Sequence, residues 1–153
     1  MVLATQKVVN MQYWLLKSEK STWSWQQQVQ ANIECWSGVR NYQARNNLKA
    51  MKINDLAFFY HSNDDKQIVG IVQIVKEFYK DPTLLDNKDF VAVDVKTFKE
   101  LNNPVSLQQI KNNVKLQHIA LVNHSRLSVM PIDKESFFEI LGMSDTKIAN
   151  TII

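Results

Sequence analysis

The spacing of apolar residues along the chain predicts more strands than helices. Residues 13–17 and 56–60 are continuous apolar runs of strand length, and residues 68–75 are rich in valine and isoleucine. Gly70 within the third run predicts a bulge or a close backbone approach. Apolar and polar residues alternate over residues 90–98, which predicts an antiparallel strand whose valines face the core.

Residues that favour helix ends predict four short helices. Residues 24–27 and 106–109 have the serine-to-glutamine spacing of a capping box. A third helix is predicted over residues 41–51, and a fourth begins after Asp133 and stops at Gly142.

Short apolar segments and turn-forming residues complete the pattern. Residues 119–122 and 127–130 are predicted as short strands. Because strands outnumber helices, the predicted fold class is α+β, a small β-barrel with short helices around it. Turn residues predict interruptions at Asp81-Pro82, Asp86-Asn87, Asn103-Pro104 and Pro131.

Length and composition fit a single domain with its own core. The chain has 153 residues, and no apolar run reaches the roughly 18 residues that a membrane span requires. The start of the chain lacks the pattern of a signal peptide, and no membrane partner is predicted. Cys35 is the single cysteine, which excludes an internal disulfide and favours a reducing, cytoplasmic location. Either Met11 is the functional start, or residues 1–10 form a disordered extension.

The balance of charge is mildly basic. Eighteen Lys and Arg residues oppose 15 Asp and Glu residues, for a formal net charge of +3. This excess is too small for nonspecific duplex binding through many phosphate contacts. It is compatible with a short or single-stranded nucleic acid, where stacking and a few cations suffice, and equally with no nucleic acid.

The sequence predicts no metal site and no cofactor. His61, His118 and His124 have no partners at the spacing of metal ligands. The chain holds three glycines, and none forms a phosphate-binding glycine loop, so P-loop and dinucleotide folds are excluded.

The stretch WSGVRNYQARNNLKAM, residues 36–51, combines aromatic and hydrogen-bonding side chains. Trp36 and Tyr42 offer flat faces, and Arg40 and Asn41 offer hydrogen-bonding groups, which together suit a nucleobase. In the structural alternative, Trp36 is a core residue and Asn41 is the N-cap of a helix. Taken alone, the stretch favours the structural interpretation.

Three polar segments lie at predicted strand ends, at residues 17–19, 61–63 and 123–128. If the strands form a barrel, these ends converge at one mouth and join residues 36–42 in an aromatic-lined pocket. Neighbouring strand residues point to opposite faces, so Lys17, Ser18 and Glu19 are not expected to meet on one side. Ser18 is therefore expected to hydrogen-bond backbone or ligand.

The chain carries six ordered motifs: WLLKSE at 14–19, SW at 24–25, WSGVRNYQARNNLKAM at 36–51, DLAFFYHSN at 55–63, VGIVQIV at 69–75 and SRLSVMP at 125–131. Together, over residues 11–141, they resemble the EVE domain family of the PUA-like superfamily, which also contains YTH and ASCH domains. Lys20 departs from the proline that usually follows the glutamate of the first motif, which affects the local turn more than the pocket. The domain is placed at residues 11–142, with a tail at 143–153.

The resemblance implies a distorted mixed or antiparallel PUA-like β-barrel flanked by short helices, with a pocket at its mouth. The implied ligand is a modified base of DNA or RNA, single-stranded or flipped out: methylated or hydroxymethylated cytosine, or methylated adenine. No residue is expected to be catalytic. The expected ligand-binding residues are Trp14 and Trp36 for stacking, Ser18, Asn41, His61, Ser62 and Asn63 for the base edge, and Lys17, Arg40 and Arg126 for phosphates. Tyr42 and Ser128 complete the expected set.

Two other functions remain open. A small hydrolase of modified nucleosides would use Lys17 as nucleophile or base with Glu19 as its partner, by similarity to some ASCH relatives. A protein interaction module without a nucleic-acid ligand would leave all the aromatic residues structural. We rank the base-binding domain first, the interaction module second and the hydrolase third.

Overall fold

The computed structural model describes residues 11–84 and 89–148. Within these ranges the chain forms six strands: β1 (Tyr13–Glu19), β2 (Ile33–Trp36), β3 (Leu56–Ser62), β4 (Gln67–Lys80), β5 (Val91–Ser106) and β6 (Val129–Ile132). The same ranges contain five short helices: α1 (Trp25–Ala31), α2 (Tyr42–Ala50), α3 (Leu107–Lys111), α4 (Ala120–Asn123) and α5 (Lys134–Met143). A 3-10 turn covers Val114–Leu116.

The strands form one mixed sheet in the order β2-β5-β4-β3-β1-β6. β1 runs parallel to β3, and the other neighbouring pairs are antiparallel. One face of the sheet carries fully buried residues such as Leu15, Phe58 and Ile71, and the ring of Phe137 from α5 stacks on Phe58 there. The opposite face carries Phe59, against which Trp36 packs. The predicted α+β class, with a mixed sheet flanked by short helices, is confirmed.

Helix starts follow the predicted side-chain chemistry. Ser24 and Ser106 each form a complete capping box with the glutamine three residues later, and Asp133 caps α5. Asn41 accepts a hydrogen bond from the backbone N–H of Ala44 at 2.9 Å and is the N-cap of α2. These four predicted starts are confirmed.

Gly70 marks both a register shift and a close approach. The pairing of β4 with β5 jumps between Ile68 and Gly70, and the ring of Trp25 lies directly over the glycine. A Cβ on residue 70 would lie 2.4 Å from two carbons of that ring, so the packing requires glycine. Both features predicted from Gly70 are confirmed.

Two predicted elements near the end of the chain are wrong. The predicted strand at residues 119–122 is replaced by a short helix over residues 120–123, because Gln117 and Asn123 hydrogen-bond nearby backbone carbonyls and close a compact turn. Four apolar residues carry too little periodicity to separate these outcomes. The last helix does not stop at Gly142 but continues to Met143, since Ser144 caps it with a hydroxyl bond to the Leu141 carbonyl.

Prolines do not interrupt β5 or β6 as predicted. Pro131 lies within β6, an edge strand whose outer side needs no N–H donor. Pro104 lies within β5 where the pairing with β4 jumps from Glu100 to Val105, so the intervening residues bulge out of the ladder. There Asn102 bonds Thr146, and Asn103 bonds Ser144, so the first residues of the predicted tail are buried against β5.

The predicted loop at residues 81–82 is not simply exposed, because the Asp81 side chain is fully buried. The predictions for residues 1–10, 86–87 and 149–153 lie outside the described residues. Across residues 11–84 and 89–148, no helix is long and apolar enough to span a membrane.

Candidate functional site

A cavity of about 660 Å³ opens between the end of β1, the strand β2 and the segment that leads into α2. This volume lies within the range of small-molecule sites. Its wall is formed by Lys17, Ser18, Glu19, Thr22, Trp23, Glu34, Cys35, Trp36, Ser37, Gly38, Val39, Arg40, Asn41 and Ser128.

The end of β1 forms one wall and is held by backbone contacts. The Ser18 hydroxyl donates to the Trp23 carbonyl at 2.5 Å, and the Lys17 ammonium donates to the Ser125 carbonyl at 2.8 Å. Burial lowers the pKa of Lys17. Lys17, Ser18 and Glu19 all border the cavity at the end of the strand, and the expectation that their side chains do not meet on one side stays a prediction.

The strand β2 forms the second wall. Trp36 pairs with Val93 of β5, is 8% exposed, and meets the Phe59 ring edge to face with 5.6 Å between centroids. Glu34 lies two residues earlier, so it shares a face of the strand with Trp36. Trp36 is thus both a core residue and a cavity residue.

The rim before α2 is fixed by Asp81. Its carboxylate accepts hydrogen bonds from the Gly38 N–H at 2.8 Å and from Arg40 Nη1 at 3.0 Å. Burial by itself would raise the pKa of Asp81, but bonds from Thr83, Gly38 and Arg40 outweigh it and lower the pKa to about 2. Gly38 has a φ of +83°, which favours glycine. The rim is therefore held by an ionised, buried carboxylate.

Asn41 lies on this rim with its side-chain oxygen committed to the helix cap. Its amide N–H₂ is the group that it presents to a ligand. The guanidinium of Arg40 is also divided, since one nitrogen bonds Asp81 and the other bonds Thr83. The rim thus combines an amide donor with a cation whose orientation is fixed.

The structure brings six of the twelve predicted site residues to this cavity and places six elsewhere. Those at the cavity are Lys17, Ser18, Trp36, Arg40, Asn41 and Ser128. Those outside its wall are Trp14, Tyr42, His61, Ser62, Asn63 and Arg126.

Trp14 and His61 are buried and engaged with protein groups. The Trp14 indole N–H donates to Asp55 Oδ2 at 2.9 Å. His61 Nε2 accepts from the Trp25 backbone N–H at 3.1 Å, and Nδ1 lies 3.2 Å from Asp65. His61 and Trp25 both line a second cavity, of about 360 Å³.

The other four lie outside the cavity wall, three of them exposed and Ser62 half-buried. Tyr42 is 61% exposed and stacks on Phe90 at the start of α2. Asn63 is exposed, with a φ of +70°, in the turn after β3, and Ser62 next to it is half-buried. Arg126 is exposed before β6. Strand ends do converge here, because parallel pairing sets Ser18 opposite His61, but convergence of backbone does not bring every side chain into one cavity.

Sequence patterns did not point to four of the cavity residues: Thr22, Trp23, Glu34 and Cys35. The other wall residues belong to the predicted mouth segments at 17–19, 36–42 and 123–128. Trp23 does carry a sequence signal, since it belongs to the tryptophan-rich part of the chain, and its indole donates to Gln28 at 3.0 Å. Glu34 carries another, its two-residue spacing from Trp36.

The chemistry of the cavity suits binding. Burial raises the pKa of the Cys35 thiol, which keeps it protonated and weakly nucleophilic at neutral pH. Over residues 11–84 and 89–148, no group of three or more His, Cys, Asp or Glu side chains has the arrangement of a metal site. The wall instead offers indole faces, an amide, hydroxyls and two cations, which suits a flat polar ring.

Residues 12–143 match the EVE domain family, and the chain belongs to that family. It is 36% identical to mouse thymocyte nuclear protein 1 over an alignment that covers 88% of this chain and 74% of the mouse protein. Among solved structures, protein Atu2648 from Agrobacterium tumefaciens is 43% identical, with a TM-score of 0.86, covering 88% of this chain and 94% of that one.

A further solved relative carries a ligand. The human THYN1 protein, in complex with 5-methylcytosine containing DNA, is 32% identical to this chain, with a TM-score of 0.79. The match covers 90% of this chain and 99% of the human one. A YTH domain from Zygosaccharomyces rouxii, 14% identical with a TM-score of 0.56 and covering 92% of this chain and 90% of its own, shares the fold.

Proposed function

We propose that this chain binds a modified nucleobase, foremost 5-methylcytosine in DNA, in the cavity between β1, β2 and α2. The observation that carries the proposal is the human THYN1 protein in complex with 5-methylcytosine containing DNA, which is 32% identical over nearly the whole of both chains. The proposal also includes hydroxymethylated cytosine and methylated adenine, in DNA or RNA, as alternative ligands.

The contents of the cavity support a base that has left its stack. Trp23 and Trp36 supply indole surface, and Asn41 supplies an amide donor on the rim. Stacking on an aromatic ring is worth about 1–3 kcal/mol per base. Flipping a base out of a duplex costs a few kcal/mol, so single strands and mismatched sites bind more readily. We assign the contacts with flanking phosphates to Lys17 and Arg40 at the cavity wall and to the exposed Arg126.

Selectivity for a methylated base needs more than the methyl group. Burial of one methyl contributes about 0.8 kcal/mol, which is a several-fold preference. A stronger preference requires polar groups of the cavity that stay unpaired when the wrong base enters. Ser18 and Ser128 at the wall, together with Asn41, are the groups we assign to this role. The proposal gives no ligand contact to His61, Ser62, Asn63, Trp14 or Tyr42, which lie outside the cavity wall.

We infer that the chain acts by binding, without turnover. The Lys17 ammonium is bonded to the Ser125 carbonyl, and the Cys35 thiol is protonated, so neither is poised as a nucleophile. A cytoplasmic location, predicted from the single cysteine, belongs to the same proposal.

The test is equilibrium binding by fluorescence anisotropy to matched oligonucleotides, single-stranded and duplex. They carry cytosine, 5-methylcytosine, 5-hydroxymethylcytosine, adenine or N6-methyladenine at one position. We expect the tightest binding to 5-methylcytosine, lost in Trp36→Leu but kept in Trp14→Leu, which removes a buried indole outside the cavity. Thermal unfolding checks that both variants fold. Asn41→Ser changes an exposed residue and keeps the helix cap, and it should weaken binding because it removes the amide donor.

Equal, weak and salt-sensitive binding to every oligonucleotide would contradict the proposal and favour a protein partner. Mass spectrometry of the recovered oligonucleotides and of free modified nucleosides tests whether the chain acts by binding, without turnover. Unchanged oligonucleotides and nucleosides support binding alone. Removal of the base modification by the unaltered chain, but not by a Lys17→Ala variant, would establish the hydrolase.

A further inference from the structure

The face of β2 that looks into the cavity carries a donor and an acceptor side by side. Trp36 and Glu34 are two residues apart on the strand, and they pair with Val93 and Val95 of β5, which are fully buried. Side chains at this spacing share a face of a strand. Both therefore lie on the interior side of the sheet, and both line the cavity.

The indole N–H of Trp36 differs from those of the other three tryptophans. Trp14, Trp23 and Trp25 donate to Asp55, Gln28 and Glu100 respectively, at 2.9–3.0 Å. Trp36 makes no such bond to any residue within 11–84 or 89–148, although it is more than nine-tenths buried. In this part of the chain every fully enclosed side-chain nitrogen or oxygen has a partner, so the Trp36 N–H opens onto the cavity.

The Glu34 carboxylate is the matching acceptor. It forms no ion pair or side-chain hydrogen bond with the residues that the structure describes, while it is partly buried at the cavity wall. Burial, and then the nearby charge of Asp94, raise its pKa. A partly desolvated carboxylate of this kind gains most when a ligand N–H reaches it.

We propose that Glu34 and Trp36 read the Watson–Crick edge of the bound base and restrict the cavity to bases with an exocyclic amino group. The Glu34 carboxylate accepts from that amino group, and the Trp36 N–H donates to the ring nitrogen or carbonyl beside it. This inference rests on the proposed function and names the class of base that the site takes.

The consequence is discrimination between 5-methylcytosine and thymine. The two bases carry the same methyl group and nearly the same shape, so neither stacking nor methyl burial separates them. Thymine has a carbonyl oxygen in place of the amino group and an N–H in place of the ring acceptor. Thymine would place its carbonyl oxygen opposite the Glu34 carboxylate and its ring N–H opposite the Trp36 N–H. These buried groups would stay unpaired, which strongly disfavours binding.

The test uses the full chain and single-stranded oligonucleotides that differ only in one central base: cytosine, 5-methylcytosine, uracil or thymine. Anisotropy titrations should show at least tenfold tighter binding of 5-methylcytosine than of thymine. Glu34→Gln replaces one carboxylate oxygen by an amide donor that can bond the thymine carbonyl, so this ratio should fall to about twofold. Glu135→Gln removes one negative charge from an exposed position of α5, and it should leave the ratio of 5-methylcytosine to thymine binding unchanged.

Trp36→Phe keeps an aromatic ring but removes the N–H, so it should weaken 5-methylcytosine binding several-fold. It also removes the donor that opposes the thymine N–H, so it should not weaken thymine binding. Equal binding of 5-methylcytosine and thymine by the unaltered chain would overturn this inference and leave the proposed function standing. Full discrimination in a folded Glu34→Gln protein would also overturn it. Failure of the unaltered chain to bind any modified base would overturn the proposed function, and this inference with it.

Discussion

Asp81 shows how one side chain sets the shape of the cavity rim. Its buried carboxylate bonds the Gly38 N–H and Arg40 on one oxygen, and the Thr83 N–H and hydroxyl on the other. A carboxylate held this way stabilises the fold at every pH at which it is ionised in the folded state, and the stabilisation is lost once the carboxylate is protonated. Rim geometry and acid stability therefore depend on the same residue.

The variant Asp81→Asn should lower the free energy of unfolding by about 2 kcal/mol near neutral pH, as expected for a pKa shifted from 3.8 to about 2. Because the folded pKa is depressed, the contribution is complete above about pH 4 and is lost as the pH falls toward about pH 2. Urea unfolding at a series of pH values should show the gap between the two proteins closing across that window.

Asp89→Asn is the matched control on the surface. Asp89 also contacts an arginine, Arg45 at 3.1 Å, but its side chain is 69% exposed. An exposed pair of this type contributes about 0–1 kcal/mol, so the variant should unfold almost as the unaltered chain does. Equal losses in the two variants would show that the bonds to Asp81 add nothing beyond a surface pair.

At the scale of elements, β4 and α1 are locked together where Trp25 covers Gly70. The Trp25 ring is almost fully buried, its N–H bonds Glu100, and its face meets Phe59 at 5.3 Å between centroids. A ring held on three sides has no room to retreat from a new methyl group. The packing of α1 on the sheet thus depends on one absent side chain.

Gly70→Ala should lower the free energy of unfolding by about 2 kcal/mol or more, since it places a methyl 2.4 Å from ring carbons of Trp25. Gly142→Ala provides the contrast, because its new Cβ meets no atom within 4 Å and it lies in helix α5. That change should stabilise the protein by about 0.5–1 kcal/mol. Chemical denaturation of both variants checks the pair, and a neutral Gly70→Ala would contradict the packing argument.

Local chemistry decided which elements were predictable. Capping boxes at Ser24 and Ser106 and the cap at Asn41 depend on bonds within three residues, so the sequence reveals them. The course of β5 through Pro104 depends on a contact with Ser144, and the helix at residues 120–123 depends on Gln117. Such partners are not visible in a local pattern.

The cavity residues divide in the same way, into those set by local sequence and those set by tertiary contacts. Trp36 and Asn41 stand out because aromatic and amide residues crowd one stretch, whereas Glu34 becomes significant only when β2 pairs with β5 and turns it inward. His61 is of a residue type that often contacts ligands, but its Nε2 already accepts a hydrogen bond from the Trp25 backbone N–H. Side-chain direction at a strand end is set by tertiary contacts that periodicity does not contain.

On the scale of the whole molecule, the net charge of +3 predicts shallow salt dependence. If Lys17, Arg40 and Arg126 each neutralise one phosphate of a single strand, the logarithm of affinity should fall against the logarithm of salt with a slope of about −2. Anisotropy titrations across a range of sodium chloride concentrations measure it. A slope steeper than about −5 would indicate a broad phosphate surface in place of base recognition.

The sheet order also has a consequence for how the protein is made. β1 lies between β3 and β6, yet it ends at Glu19 and β6 begins at Val129. At a synthesis rate of about 5–20 residues per second, β1 waits in the nascent chain for roughly 5–20 seconds before its second neighbour leaves the ribosome. During that interval an apolar strand keeps one edge unpaired, so a message truncated before codon 129 yields a product that is prone to join other chains along that edge.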